Sequence, residues 1–200
     1  MTVYGITGPS GAGKSLLCEY CAAHGIPHLD ADVIYHELLV PPSEAVDALR
    51  AAFGDGILDE AGAVDRRALS AIVFHDENKL ALLNETVLAI VLREIRRRLA
   101  ELAEQGVMAV AVDAPTLIES GFHRECDTVV VVLSSKETRI ARIMARDGLS
   151  RVRAEERVNA QKPDDFYREA ADAVLYNDGD REALFKGFEA LLKTERSENA

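Results

Sequence analysis

Lys14 and Ser15 close the stretch Gly8-Pro9-Ser10-Gly11-Ala12-Gly13-Lys14-Ser15, which meets the pattern G-x-x-x-x-G-K-[ST] at every fixed position. A cation and a hydroxyl behind a glycine-rich run suit a polyphosphate. The glycines let successive backbone amides turn inward around a phosphate, and a following helix adds the partial positive charge of its N-terminus. Lys14 then reaches the β- and γ-phosphates, and the Ser15 hydroxyl holds Mg²⁺. The nucleotide-binding set expected from this pattern is Gly8, Ser10, Gly11, Ala12, Gly13, Lys14, Ser15 and Leu16. A chance glycine-rich turn is the alternative, but it has no reason to sit between a strand and a helix. Val3-Tyr4-Gly5-Ile6-Thr7 reads as a short buried strand, and Ser15 to Ala23 as a helix.

Downstream residues offer the other parts of a phosphoryl transfer. Asp30-Ala31-Asp32 follows a second short strand, Ile26-Pro27-His28-Leu29. Transfer to a hydroxyl needs a carboxylate that orients it and accepts its proton. A helix from Val33 to Leu39 needs a cap, so one aspartate can serve each purpose and the residues alone do not say which. Asp113 ends an apolar run, the form of an acid that holds the metal's water shell or polarises Ser15, so Ser15 and Asp113 are the expected metal residues. Glu119, a little further on, is either an acceptor contact or a surface carboxylate. Arg139, Arg142 and Arg146 lie on the helix after the fourth strand. Arg142 and Arg146, four apart, share a face and are candidates for a lid that stabilises charge on the transferring phosphoryl group.

The elements that must position these groups alternate. Val107 to Val112, Asp127 to Leu133 and Ala173 to Tyr176 are further apolar strand candidates. Apolar strands separated by helices predict an α/β protein with a five-stranded parallel sheet flanked by helices, the P-loop NTPase fold. Ligands bind at the carboxyl ends of such strands, so Thr7, Asp30, Asp113 and Asn177 are expected along one rim. The core spans 1–42 and 106–196. The stretch 43–105 reads as a helical insertion suited to the acceptor, with Asp65 capping Arg66 to Phe74 and a long, possibly broken helix from Glu77 to Glu104. A lid spans about 138–165.

Composition narrows the partners. A chain of 200 residues with net charge −11 is not built around nucleic acid, whose phosphates select basic surfaces. No apolar run approaches a membrane span and no leader precedes the first strand, so a cytoplasmic protein without membrane partners is expected. The sequence leaves the oligomeric state open, with a monomer favoured. Cys18-Glu19-Tyr20-Cys21 has no second cysteine pair and reads as helix packing; the five histidines lack metal-ligand spacing. An N-K-x-D guanine reader and an L-S-G-G-Q element are both absent, and the chain is too short for a second ATPase lobe. A small-molecule kinase remains.

Over nearly its whole length the chain resembles the dephospho-CoA kinase family. The matching elements are Gly5-Ile6-Thr7-Gly8 into the loop, Asp30-Ala31-Asp32, Phe53-Gly54 with Ile57-Leu58-Asp59-Glu60, Val64-Asp65-Arg66, and Val73-Phe74. Later come Pro115 to Gly121, Arg142 with Arg146-Asp147-Gly148-Leu149-Ser150, Gln161, and Ala171-Asp172 leading to Asn177-Asp178-Gly179. The resemblance implies transfer of the ATP γ-phosphate to the ribose 3′-hydroxyl of dephospho-CoA, with ATP and Mg²⁺ as requirements. It favours Asp32 as the base, Lys14 and Arg142 as its catalytic companions, and Arg142 and Arg146 in a lid over ATP. Where the family often carries a His-Pro pair associated with acceptor binding, this chain has Leu88-Ala89. The loop also lacks the further glycine and isoleucine of the commoner family form, at x positions only. The competing readings are a P-loop kinase for another nucleoside or nucleotide, and a non-catalytic ATP-binding regulator.

Overall fold

The computed structural model describes residues 1–74 and 76–198. Its strands are β1 (Thr2–Thr7), β2 (His28–Asp30), β3 (Ala109–Asp113), β4 (Thr128–Leu133) and β5 (Ala173–Tyr176). They form one sheet in the order β2-β3-β1-β4-β5, with β1 parallel to both β3 and β4, and β4 parallel to β5. All six residues of β4 are buried. This is why its sequence is unbroken valine rather than alternating: helices cover both faces. Register pairs Ile6 with Asp113 and Thr7 with Val131, so the ends of β1, β3 and β4 fall at one edge. This is the five-stranded, helix-flanked sheet expected from the alternation.

By contact density the chain divides into two compact units, residues 1–29 with 107–200, and residues 30–106. In the first, α1 (Lys14–Ala23) and α9 (Arg181–Glu198) contribute to one apolar cluster with Tyr4, Ile6, Val130 and Val132. Cys18, Cys21, Leu184 and Phe188 belong to it, and the ring of Tyr4 meets Phe188 edge-on at 5.6 Å. Each fully buried residue such as Leu17 or Phe188 contributes roughly 1.5–3 kcal/mol of transfer free energy. Beyond β4, α6 (Lys136–Asp147) and α7 (Arg151–Asn159) pack through Ile140, Ile143, Ala154 and Val158. The short α8 (Asp164–Arg168) leads toward β5.

The second unit holds α2 (Ala31–Leu38), α3 (Glu44–Phe53), α4 (Arg66–Val73) and α5 (Glu77–Glu104). It begins at Asp30 rather than near 43 because α2 packs on α5. Ser43, Asp65 and Asp76 each accept first-turn amides as N-caps, which fixes where α3, α4 and α5 start. Leu39, Val46, Leu49, Ile57, Val64, Leu69 and Val73 form its core. The long helix is unbroken across all 28 residues of α5. The physical reason lies at Ala89: a proline there would remove an intrahelical N–H donor and collide with the preceding turn, whereas alanine does neither. No helix among the described residues is long and apolar enough to cross a membrane.

Candidate phosphate-transfer site

The loop between β1 and α1 takes its shape from glycines that no other residue could replace. Gly8 has φ 142°, and a Cβ there would lie 2.2 Å from the Val132 carbonyl oxygen of β4. Gly13 has φ 106°, and a Cβ there would lie 2.0 Å from Nδ2 of Asn177. Gly13 is also the N-cap of α1, and no side chain caps that helix. The amides of its first turn precede the first intrahelical bond, which makes this helix start suitable for an anion. Lys14 Nζ donates to the Gly8 carbonyl at 2.9 Å, spanning the loop.

Arg142 holds the opposite side of the loop. Its Nη1 donates to the carbonyls of Gly11 and Ala12, both at 3.1 Å, and its Nη2 donates to Oδ1 of Asn177 at 3.2 Å. Asn177, 1% exposed, donates from Nδ2 to the same Ala12 carbonyl at 2.8 Å. In a trans peptide the carbonyl points away from the following N–H. The guanidinium therefore lies behind the amides of Ala12 and Gly13, bracing the cradle from its carbonyl side. Arg146, exposed, reaches Ser10 Oγ at 3.4 Å while pairing with Asp147.

Ser10 is held by two residues that the sequence did not assign a role. Its amide donates to Oε1 of Gln161 at 2.9 Å, and its carbonyl accepts from Nε of Arg139 at 3.3 Å. Arg139 Nη2 also donates to Gln161 Oε1, at 2.9 Å, and its Nη1 lies 3.5 Å from Asp164. Burial pushes the Arg139 pKa down, and Asp164 acts against that shift. Arg139, Gln161 and Asn177 thus tie α6, the end of α7 and the end of β5 to the phosphate loop. Asn177 carried one usable signal, a polar residue directly past an apolar strand. The Gln161 contact had none in local sequence.

Asp113 ends β3, is 7% exposed, and accepts from Sγ of Cys18 at 3.7 Å. Cys18 lies one turn beyond Ser15 on α1, so Asp113 and the Ser15 hydroxyl approach the same helix face. Nearby, Thr7 Oγ1 donates to the Ala114 carbonyl at 3.2 Å and joins the ends of β1 and β3. Cys18 and Cys21 are both buried, and burial pushes the Cys21 thiol up to about 12. No cluster of three metal-ligating His, Cys, Asp or Glu side chains exists among the described residues. Ser15 and Asp113 offer oxygen donors, the ligand type Mg²⁺ takes alongside phosphates and water.

In the helical unit, Asp30 is the N-cap of α2: its Oδ1 accepts from the amides of Asp32 and Val33 at 2.8 and 3.1 Å. Asp32 is left exposed in the first turn. Glu119 is an exposed carboxylate. The arginines of α5 form ion pairs: Arg93 with Glu44, Arg97 with Glu94 and Glu101, and Arg98 with Glu37 and Glu94.

A family model described as dephospho-CoA kinase matches residues 2–182. The dephospho-CoA kinase of Shouchella clausii (strain KSM-K16) is 36% identical over 192 residues, 95% of this chain and 97% of the relative. The solved structure of TT1252 from Thermus thermophilus superposes with a TM-score of 0.79 at 32% identity, over 96% of this chain and 97% of the other. The dephospho-CoA kinase from Campylobacter jejuni shares the fold, with a TM-score of 0.72 at 24% identity over 96% and 98% of the two chains. With an intact phosphate loop and a match running from the first strand into the last helix, the chain belongs to the dephospho-CoA kinase family.

Proposed function

We propose that this chain transfers the γ-phosphate of ATP to the ribose 3′-hydroxyl of dephospho-CoA, giving CoA and ADP in the last step of CoA biosynthesis. The observation that supports it is a phosphate loop complete at every fixed position and braced from its carbonyl side by Arg142, in a chain of this kinase family. In this reading Lys14 leaves the Gly8 carbonyl for the β- and γ-phosphates. The amides of Gly11, Gly13, Lys14, Ser15 and Leu16 surround the β-phosphate, and Gly8, Ser10 and Ala12 shape the turn. Asp32, freed from capping by Asp30, takes the proton of the 3′-hydroxyl as that oxygen bonds to the γ-phosphorus. The bond to the bridging oxygen breaks, and ADP leaves with both electrons of that bond.

Arg142 keeps the cradle in shape and brings positive charge beside it; Arg146, more exposed, faces the donor nucleotide. The Ser15 hydroxyl and the Asp113 carboxylate fit Mg²⁺ by donor type. They would hold Mg²⁺ beside the nucleotide, where the ion would supply positive charge against the phosphates. The helical unit receives the acceptor, and α6 with α7 forms the lid. Closure excludes water that would otherwise compete with the hydroxyl.

The test is ADP formation from Mg·ATP with dephospho-CoA, AMP, UMP and adenosine as separate acceptors. Turnover restricted to dephospho-CoA is the expected result. Turnover with another acceptor replaces the substrate, and ATP binding without any turnover makes the chain a regulator.

A further inference from the structure

The backbone of Asp113 is fixed from both sides. The residue pairs in register with Ile6 of β1, and just beyond it the Ala114 amide donates to the Ile6 carbonyl while Thr7 Oγ1 donates to the Ala114 carbonyl. None of these bonds sets the plane of the carboxylate. The last torsion of an aspartate is broad and roughly two-fold, so its oxygens turn at little cost unless a partner holds them. Cys18 is such a partner. Its Sγ donates to Asp113 Oδ2 at 3.7 Å, and the two residues are 2% and 7% exposed.

The helix α1 places Cys18 for this contact. Cys18 follows Ser15 by three residues, so the two share a helix face, and its Cα–Cβ bond tilts back toward the turn that carries Ser15. The helix packs against β3, and Cys18 is buried with Ile6, Leu17, Cys21 and Ala111 in one apolar cluster. A thiol suits this position because it packs as a small hydrophobe and still donates a weak hydrogen bond. An alanine would pack and could not donate. The thiol occupies one of roughly four lone-pair positions on the carboxylate, so it orients the acid without consuming it. One side chain thereby links the helix that carries the Ser15 hydroxyl to the strand that carries the Asp113 carboxylate.

We propose that Cys18 is a positioning residue for the metal side of the transfer: its thiol fixes the rotation of the Asp113 carboxylate relative to Ser15. This rests on the assignment of Ser15 and Asp113 to Mg²⁺ under the proposed function. Cys18 touches neither nucleotide nor ion in this role and acts through Asp113. Cys21 supplies the contrast. It lies one turn further along α1, is equally buried and belongs to the same cluster. If burial alone mattered the two cysteines would be equivalent; the bond to Asp113 separates them.

The experiment reads Mg²⁺ through ADP binding, so it needs neither acceptor nor turnover. ADP is titrated calorimetrically into wild type, C18A, C21A, D113N and C18A/D113N at a series of Mg²⁺ concentrations. The quantity compared is the Mg²⁺ midpoint at which ADP binding tightens. C18A is expected to raise that midpoint roughly 3- to 10-fold while leaving the Mg²⁺-free ADP affinity unchanged. D113N raises it further, and C18A/D113N gives the D113N value, because no carboxylate is left to orient. C21A removes the same kind of atom from the same cluster and keeps the wild-type midpoint. An unchanged midpoint in C18A, a C18A shift that persists on top of D113N, or an equal shift in C21A overturns the positioning role. A wild-type ADP affinity that ignores Mg²⁺, or a D113N midpoint equal to wild type, overturns the metal assignment and the positioning role with it. Absence of dephospho-CoA turnover by wild type, with the titrations as expected, overturns the proposed substrate and leaves the role of Cys18 standing.

Discussion

Gln161 accepts the backbone amide of Ser10 at 2.9 Å, across 151 residues of sequence. The same side-chain oxygen also receives Nη2 of Arg139, a residue that is 5% exposed. Removing it in Gln161→Leu strands two donors, one on a buried cation, and is expected to lower stability by about 1–3 kcal/mol. Gln161→Glu keeps the acceptor and gives Arg139 a formal partner, so its unfolding temperature should stay near wild type. It also sets a carboxylate against the phosphate loop, so its ATP affinity should fall. Thermal unfolding and ATP titration of the two variants separate these effects. A loss of ATP affinity in neither variant would remove Gln161 from any part in shaping the loop.

Gly13→Ala should abolish nucleotide binding. The added Cβ meets Asn177 at 2.0 Å in a backbone region that costs a non-glycine residue roughly 1–3 kcal/mol. Asn177 cannot move aside without releasing the Ala12 carbonyl and Oδ1 from Arg142. Equilibrium dialysis with ATP checks this, and near-normal binding would mean that the loop reshapes freely.

Asp32→Asn should retain ATP binding and lose roughly 10²–10⁴ in kcat, the range for removing a general base. Asp30→Asn keeps a side-chain oxygen that can accept the amides of Asp32 and Val33, so its expected change is small. Steady-state rates of the pair decide the assignment, and a larger loss in Asp30→Asn would reverse it.

Asp113→Asn keeps the volume of a buried side chain and removes its charge. The Mg²⁺ concentration for half-maximal activity should rise about 10-fold or more, by analogy with lost charged contacts. A metal titration of the rate measures it, and an unchanged midpoint would leave Ser15 without this acid as partner.

Glu94 links acid stability to α5. Hydrogen bonding from Arg97, reinforced by Arg98 and opposed by partial burial, lowers its pKa from 4.5 to about 2. A carboxylate depressed in the folded state stabilises the fold above its unfolded pKa and loses that contribution as pH falls through its folded value. Glu94→Gln should therefore be less stable than wild type near neutrality, with the gap closing between about pH 4.5 and 2. Urea unfolding at several pH values reads this, and a gap that is constant with pH would contradict the ion pairing.

Much of the machinery was legible because it is local. The phosphate loop depends on glycine conformation and on a strand and helix at its two ends, all within one short stretch. Asp65 as the cap of α4 is equally local, since a cap acts on amides two and three residues away. Unbroken valine in β4 announced a strand covered on both faces.

What sequence patterns left open was decided by contacts formed at a distance. Asp30 and Asp32 are chemically alike, and only the folded backbone turned Asp30 into the cap and left Asp32 exposed. Arg142 looked like a lid cation, yet the ends of β4 and β5 carry Ser134 and Asn177 beside the loop and give it carbonyls to brace. Folding brought Glu94, Glu101 and Glu37 against Arg97 and Arg98 and spent those cations within the helical unit. By itself the sequence determined the phosphate loop, the Asp65 cap and the order of strands and helices, because those follow from neighbours along the chain. The tertiary structure alone decided which charged side chains are spent on the protein and which remain for a ligand, because charge pairing depends on distance in space.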